Sequence, residues 1–176
     1  MHLQSLSRIA AFAFCLGTVL SATESRAEIA LLTCPVGTSA TTYKPPLTNT
    51  AKDTQVHSDA VFGPCTGLTS TNIASALFTY DAFGKFACGP STGTASFTIR
   101  WSDGTTSKST GAVSISLRPA GEVVATIIGS ITEGRFQGGT INYTVVLAQT
   151  DLLACATTGV PSVAGPATLT LLSLVP

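Results

Sequence analysis

The most informative stretch of the chain is Ala95-Ser96-Phe97-Thr98-Ile99-Arg100-Trp101-Ser102-Asp103-Gly104, in which apolar and polar side chains alternate up to a turn. Successive side chains of a β-strand point to opposite faces of a sheet, so this period of two predicts a strand with one buried face. Asp-Gly is a frequent turn sequence because both residues tolerate the backbone conformations of tight turns. The stretch therefore predicts a strand that enters a hairpin.

The same alternation recurs on both sides of this stretch, with turn residues between the runs. Further runs, some clear and some weaker, occupy residues 38–44, 54–62, 73–80, 113–117, 123–131, 141–147 and 167–174. No convincing helical period is present beyond the N-terminal segment. The pattern predicts an all-β fold of about eight strands, an antiparallel β-sandwich of the immunoglobulin-like or Greek-key type, in which residues 93–148 form a four-strand meander.

Strand parity determines how the loop at Asp103-Gly104 is built. A two-residue turn would send Trp101 to the face opposite Val113, whereas a three-residue loop with a left-handed Gly104 keeps one shared apolar face. We predict the three-residue loop. The alternative is that the following strand bends at Gly111 and contributes to two sheets.

The N-terminus has the three parts of a secretory signal. Arg8 precedes an apolar run from Ile9 to Leu20, and Ser25-Arg26-Ala27 places small residues at the two positions that signal peptidase recognises. We expect cleavage after Ala27, so that residues 1–27 are a signal peptide and residues 28–176 form a single domain. A retained anchor is the alternative, but the apolar run is shorter than the roughly 20 residues that span a bilayer.

The charge balance excludes some classes of partner. After cleavage the chain has 7 basic and 8 acidic residues, a net charge of −1, with no cluster of lysines or arginines. Proteins that bind nucleic acids or anionic membranes present concentrated positive charge. We therefore expect no nucleic-acid partner. Because the short apolar run leaves with the signal, we also expect no transmembrane anchor in the cleaved form.

Cleavage also removes Cys15 and leaves four cysteines, Cys34, Cys65, Cys88 and Cys155. An even number in an exported chain predicts two disulfides, with three possible connectivities. Metal binding is the competing interpretation, but no two of these cysteines have the C-x-x-C spacing of zinc ligands.

Hairpin symmetry favours one connectivity. Opposed residues of an antiparallel hairpin have a constant index sum. Cys34 and Cys65 sum to 99, which centres the hairpin between positions 49 and 50, inside a segment rich in turn residues. We therefore predict a Cys34–Cys65 bridge, which leaves Cys88 to pair with Cys155.

His57 is the only histidine beyond the signal, so any imidazole chemistry must use it. Strand parity places it on one face with Gln55 and Asp59. A hydrolase would combine His57 and Asp59 with a serine such as Ser91, which lies in the G-x-S-x-G sequence Gly89-Pro90-Ser91-Thr92-Gly93. That motif works at a strand-turn-helix junction, whereas here a strand follows, so we expect an ordinary loop.

The aromatic residues divide into two groups. Trp101 and Tyr143 alternate in phase with apolar neighbours, which predicts that both are in the core. Phe83 and Phe86 lie in a glycine-containing segment before Cys88 that we interpret as a loop, so we predict that they form an exposed contact patch. The aspartates do not approach the spacing of a calcium loop, and we expect no cofactor or metal.

Four segments carry a resemblance to a known group of proteins, namely Cys34, Tyr43-Lys44-Pro45-Pro46-Leu47-Thr48, Ile99-Arg100-Trp101-Ser102-Asp103-Gly104 and Leu152-Leu153-Ala154-Cys155. In these the chain resembles small exported bacterial proteins, mostly from high-GC Gram-positive species, whose function is unknown. The resemblance implies a two-disulfide β-sandwich and transfers no catalytic residues.

These observations predict an exported, non-catalytic domain with a binding or structural role in the cell envelope or outside the cell. Its partner would be a protein or glycan outside the cytoplasm. The expected location is extracellular, or periplasmic if the host is Gram-negative. The alternative function is the small secreted hydrolase built on His57, Asp59 and Ser91.

Overall fold

The computed structural model describes residues 28–67, 73–117, 122–147 and 152–174. In these ranges the chain forms nine β-strands and one short helix: β1 Glu28–Leu47, β2 Lys52–Phe62, β3 Thr66–Gly67, β4 Ala76–Phe86, β5 Ser91–Trp101, β6 Thr106–Leu117, β7 Val123–Gly134, β8 Thr140–Leu147, α1 Leu152–Ala156 and β9 Val160–Leu174. The predicted signal peptide, residues 1–27, lies outside the described residues. Within those ranges, no helix has the length and hydropathy of a membrane span.

The strands close into an eight-stranded antiparallel barrel. Each strand pairs with the next in the order β1-β2-β4-β5-β6-β7-β8-β9, and β9 pairs with β1 again. The short strand β3 lies outside the ring and pairs with Leu32 and Thr33 of β1. The all-β antiparallel class is confirmed, but the predicted sandwich of two sheets gives way to a barrel because the 20-residue strand β1 pairs along both of its edges.

Alternating side chains fill the inside of the barrel. Strand β2 shows the pattern clearly, because every second residue from Thr54 to Phe62 is buried and those between are exposed. The largest fully buried side chains are Tyr143, Phe62, Phe78, Phe86, Ile99 and Ile127. The interior is therefore a packed core, as expected for a barrel of eight strands.

An aromatic cluster occupies the middle of this core. The ring of Tyr143 stacks on that of Phe78, with centroids 4.7 Å apart, and meets Phe62 edge to face at 6.1 Å. The Tyr143 hydroxyl donates to Ser39 Oγ at 2.8 Å, and Ser39 Oγ lies 3.0 Å from Ser58 Oγ. Burial raises the pKa of the Tyr143 phenol, which stays a neutral donor. The predicted core positions of Tyr143 and Trp101 are confirmed.

The predicted meander and its first turn are also confirmed. Strands β5, β6, β7 and β8 pair in sequence. The amide of Trp101 donates to the Thr105 carbonyl, so the loop has three residues, and Gly104 has a φ of +84°. Strand β6 lies in one continuous sheet with its neighbours, so the alternative in which it serves two sheets is not found.

Both disulfides have the predicted partners. Cys34 is bonded to Cys65 and Cys88 to Cys155. The register of β1 against β2 pairs Gly37 with Phe62, so opposed residues have the predicted index sum of 99. The first bridge therefore closes the open end of that hairpin, and the second joins the β4–β5 connection to α1.

Candidate functional site

A groove of about 1210 Å³ runs across the outer surface of five adjacent strands, β1, β2, β4, β5 and β6. Its walls and floor come from outward-facing side chains in two cross-strand rows. The first row is Thr42, His57, Asp81, Ser96 and Thr110. We call this depression the outer groove.

The second row runs parallel to the first. On each strand it lies two residues from the first row, towards the same end of the barrel. It consists of Lys44, Gln55, Phe83, Thr94 and Ala112. The side chains that β5 and β6 contribute to the two rows are small and form the floor of the groove, whereas those from β2 and β4, together with Lys44 of β1, are larger. Because the barrel sheet is continuous here, this difference in size leaves a depression bounded by the longer side chains.

His57 lies between two carboxylates in the first row. Its Nδ1 is 2.8 Å from Asp81 Oδ1 on β4, and its Nε2 is 3.4 Å from Asp59 Oδ2 on its own strand. The Asp59 carboxylate also accepts a hydrogen bond from Thr79 on β4, with Thr79 Oγ1 2.8 Å from Asp59 Oδ1. The prediction that His57 and Asp59 share one face of a strand is confirmed, and that face points outward.

This geometry suits the protonated ring. A neutral imidazole has one N–H and one lone pair, so it can donate to only one carboxylate, whereas the imidazolium donates to both. The hydrogen bond to Asp81 is the main reason why the pKa of His57 is raised above its ordinary value of 6.5; its slight burial opposes the shift, and the charges of Asp81 and Asp59 add to it.

Asp81 was not identified from the sequence. It opposes His57 because β2 and β4 pair with a constant index sum of 138, which follows only once the register of that pair is known. The connection between these strands is 13 residues long, so its turn residues do not locate a unique centre. Short hairpin loops give such a centre and long connections do not.

Ser91 does not join His57. Its side chain faces the barrel interior and is buried, and its hydroxyl accepts from the Ala87 amide and donates to the Gly89 carbonyl. The residue of β5 that stands in the row of His57 is Ser96, on the opposite face of the strand. Ser91 therefore contributes hydrogen bonds to the β4–β5 turn. The expected loop covers only Gly89 and Pro90 of the G-x-S-x-G sequence, because β5 begins at Ser91.

Of the two residues predicted to form an exposed contact patch, Phe83 is exposed and Phe86 is not. Phe83 is 58% exposed and lies in the second row of the outer groove. Phe86 is fully buried, with its ring against Gly93. The prediction for Phe86 was wrong because β4 continues to that residue instead of ending in a loop, and two positions three apart on a strand face opposite sides.

The charges around the outer groove are balanced. Lys44 and His57 stand in its two rows together with Asp81, and Lys85 forms an exposed ion pair with Asp53 at 3.3 Å. Among the described residues, no group of three or more histidine, cysteine or acidic side chains is arranged to hold a metal ion. The site is therefore a weakly charged surface of hydroxyls with one aromatic ring and one doubly paired histidine.

Comparison of the sequence with protein-family models and with curated proteins found no match.

Proposed function

We propose that residues 28–176 form an exported, non-catalytic domain that binds a partner outside the cytoplasm through the outer groove. The observation that carries this proposal is the groove itself, which combines an exposed phenylalanine, side-chain hydroxyls and the hydrogen-bonded pair of His57 and Asp81 on one continuous sheet. Loops move more than strands, so a site on strands keeps its side chains in place for a partner.

Export is part of this proposal. Two disulfides favour an oxidising compartment, and the sequence of residues 1–27 has the parts of a secretory signal. The resemblance to small exported bacterial proteins points to the same location, extracellular or, in a Gram-negative host, periplasmic.

The arrangement of His57 favours binding over the alternative of hydrolysis. A serine hydrolase needs a histidine nitrogen that accepts the proton of its serine, while a carboxylate orients the other nitrogen. In this groove a carboxylate faces each nitrogen, and Ser91 lies on the inner face of the sheet. In the described part of the chain, the geometry at His57 therefore does not favour the hydrolase.

A retention assay with a blocked groove tests the proposal. The oxidised chain from Glu28 to Pro176 is immobilised and incubated with concentrated extracellular material of the host. Ser96→Arg places a long side chain on the groove floor, and Thr168→Arg adds the same group to an exposed position on β9, outside the groove. We expect Ser96→Arg to lower the amount of partner retained on the immobilised protein by about tenfold or more. Thr168→Arg should leave that amount unchanged.

Equal retention by Ser96→Arg and the wild-type protein would refute the outer groove as the binding site. Circular dichroism of both variants controls for folding. Both substitutions are at exposed strand positions, where changes in unfolding free energy are usually within about 0.5 kcal/mol.

A further inference from the structure

The geometry of the outer groove points to a class of ligand, and we propose that it is a neutral glycan. One sugar ring would lie on Phe83 while its hydroxyls bond to Asp81 and to the hydroxyl-bearing floor. This inference rests on the proposed function, because it names the ligand of the same groove.

Phe83 provides an aromatic ring that the protein leaves largely exposed. Its side chain is 58% exposed, and its cross-strand neighbours are Gln55 on β2 and Thr94 on β5. The face of an aromatic ring carries partial negative charge and attracts the weakly positive C–H groups of a partner. One face of a pyranose ring presents such C–H groups, whereas its hydroxyls point outward, so it can stack on Phe83 and still reach polar groups beside it.

Asp81 supplies an oriented acceptor next to this ring. It is two residues from Phe83 on β4, on the same face of the strand. His57 holds its Oδ1 at 2.8 Å, and its Oδ2 makes no hydrogen bond to any residue in the described part of the chain. Hydrogen bonds from hydroxyls to a carboxylate are stronger than those between neutral groups. A carboxylate held in one orientation is therefore ready to accept the hydroxyls of a sugar.

The floor is chemically matched to a polyol. Thr94, Ser96 and Thr110 present hydroxyls that can each donate and accept, and none of the three uses its side chain in a hydrogen bond within the described residues. These side chains lie on β5 and β6, on the far side of Phe83 and Asp81 from His57. A ligand that crosses the strands would contact Phe83 and Asp81 on β4 and then the hydroxyls of β5 and β6.

The charges favour a neutral ligand over an ionic one. Asp81 and Asp59 face His57, and Lys44 adds a positive group to the groove wall. A polyanion would meet these carboxylates, and a polycation would meet His57 and Lys44. The strongest competing ligand is a basic peptide that displaces His57 from its two carboxylates.

Nuclear magnetic resonance with defined probes tests the ligand class. The ¹⁵N-labelled chain from Glu28 to Pro176 is titrated with maltohexaose, cellohexaose, xylohexaose and mannohexaose, and separately with hexalysine. We expect at least one of the oligosaccharides to shift the amide signals of β4 and β5 at the outer groove, and hexalysine to leave them unchanged.

Three variants of β4 identify the stacking residue. Phe83→Ala removes the ring from the groove, and Leu77→Ala removes an exposed apolar side chain, 50% accessible, from β4 outside the groove. We expect Phe83→Ala to weaken glycan binding by about tenfold or more, Phe83→Trp to preserve it, and Leu77→Ala to bind as the wild-type protein does.

Each contrary outcome has a definite meaning. If none of the four oligosaccharides binds, or if only hexalysine shifts the groove signals, the glycan proposal is overturned while the retention assay with Ser96→Arg still decides the proposed function. Glycan binding that is unaffected by Phe83→Ala would also overturn it. If Ser96→Arg retains as much partner as the wild-type protein does, the proposed function itself is refuted.

Discussion

His57 illustrates how two residues from different strands control one side chain. Its neighbour Asp59 is two positions along β2, and its neighbour Asp81 comes from β4. Both contacts are exposed to solvent, where water and salt weaken ion pairs. Their main consequence is therefore the orientation and charge of the imidazole, with a small effect on the stability of the fold.

The pKa of His57 provides a direct test of this arrangement. We expect a proton NMR titration to give a value above 6.5 in the native protein, because the hydrogen bond to Asp81 favours the charged ring. Asp81→Asn should lower the pKa clearly. Asp59→Asn should lower it less, because that contact is longer, 3.4 Å against 2.8 Å.

The same shift fixes the sign of the pH dependence of stability. A pKa that is raised on folding stabilises the native state at pH values below 6.5 and loses this contribution as the pH rises through the native pKa. The effect of Asp81→Asn on the free energy of unfolding should therefore be larger at pH 5 than at pH 9. An unchanged pKa in Asp81→Asn would contradict the assignment.

The β5–β6 hairpin also depends on a few specific contacts, in this case within its loop and with the end of β7. Its three-residue loop needs a left-handed residue at Gly104, where φ is +84°. Asp103 Oδ1 accepts hydrogen bonds from the Thr105 amide at 3.0 Å and from the Thr105 hydroxyl at 2.6 Å. The hydroxyl bond is the main reason why the pKa of Asp103 is lowered. Asp103 also meets Arg135 at 3.2 Å, which links this loop to the end of β7.

Substitution of Gly104 separates backbone strain from steric clash. A Cβ atom at this position would meet no heavy atom within 4 Å, so only the left-handed conformation opposes a side chain. We expect Gly104→Ala to lower the free energy of unfolding by about 1 kcal/mol and Gly104→Asn by less, because asparagine tolerates this conformation. Urea denaturation followed by tryptophan fluorescence measures both.

Gly89 is a matched control for this experiment. A Cβ atom there would also meet nothing within 4 Å, but its φ is not in the left-handed region. Because alanine reduces the conformational freedom of the unfolded chain, Gly89→Ala should leave the free energy of unfolding unchanged or raise it by up to about 1 kcal/mol. Equal losses in the two alanine variants would show that backbone conformation at Gly104 is not the cause.

The whole molecule is a ring of strands in which two disulfides secure different connections. Cys34–Cys65 spans 31 residues and holds a hairpin that the β1–β2 ladder already defines. Cys88–Cys155 spans 67 residues and ties the β4–β5 turn to α1, on the approach to β9. A bridge that closes a longer loop removes more conformational freedom from the unfolded chain.

Removal of the longer bridge should be costly. We expect Cys88→Ala with Cys155→Ala to lower the free energy of unfolding by about 4 kcal/mol, and Cys34→Ala with Cys65→Ala by slightly less, on the loop-entropy model. Urea denaturation of the oxidised proteins gives both values. The wild-type protein in dithiothreitol loses both bridges without losing sulfur atoms, and so controls for side-chain volume. A loss below about 1 kcal/mol in both variants would contradict the model.

Local features of the sequence were sufficient for much of the fold. Alternation assigned the outward face of His57 and the inward faces of Trp101 and Tyr143. The turn residues located the β5–β6 loop and the centre of the β1–β2 hairpin, from which the disulfide pairing followed. These predictions succeeded because a period of two and a short turn each fix geometry through neighbouring residues.

Three features depended on the tertiary structure: barrel closure, the contact of Asp81 with His57, and the burial of Phe86. Closure requires the first and last strands to pair, and the sequence pattern of a strand is the same whether its second edge is paired, as in a barrel, or left open, as at the edge of a sandwich. Asp81 meets His57 through a register that a long connection leaves open. The burial of Phe86 depends on where β4 ends, and that is set by its pairing with β2 and β5. Alternation along a strand is a local property, whereas strand partners, registers and ends are set by contacts between residues far apart in the chain.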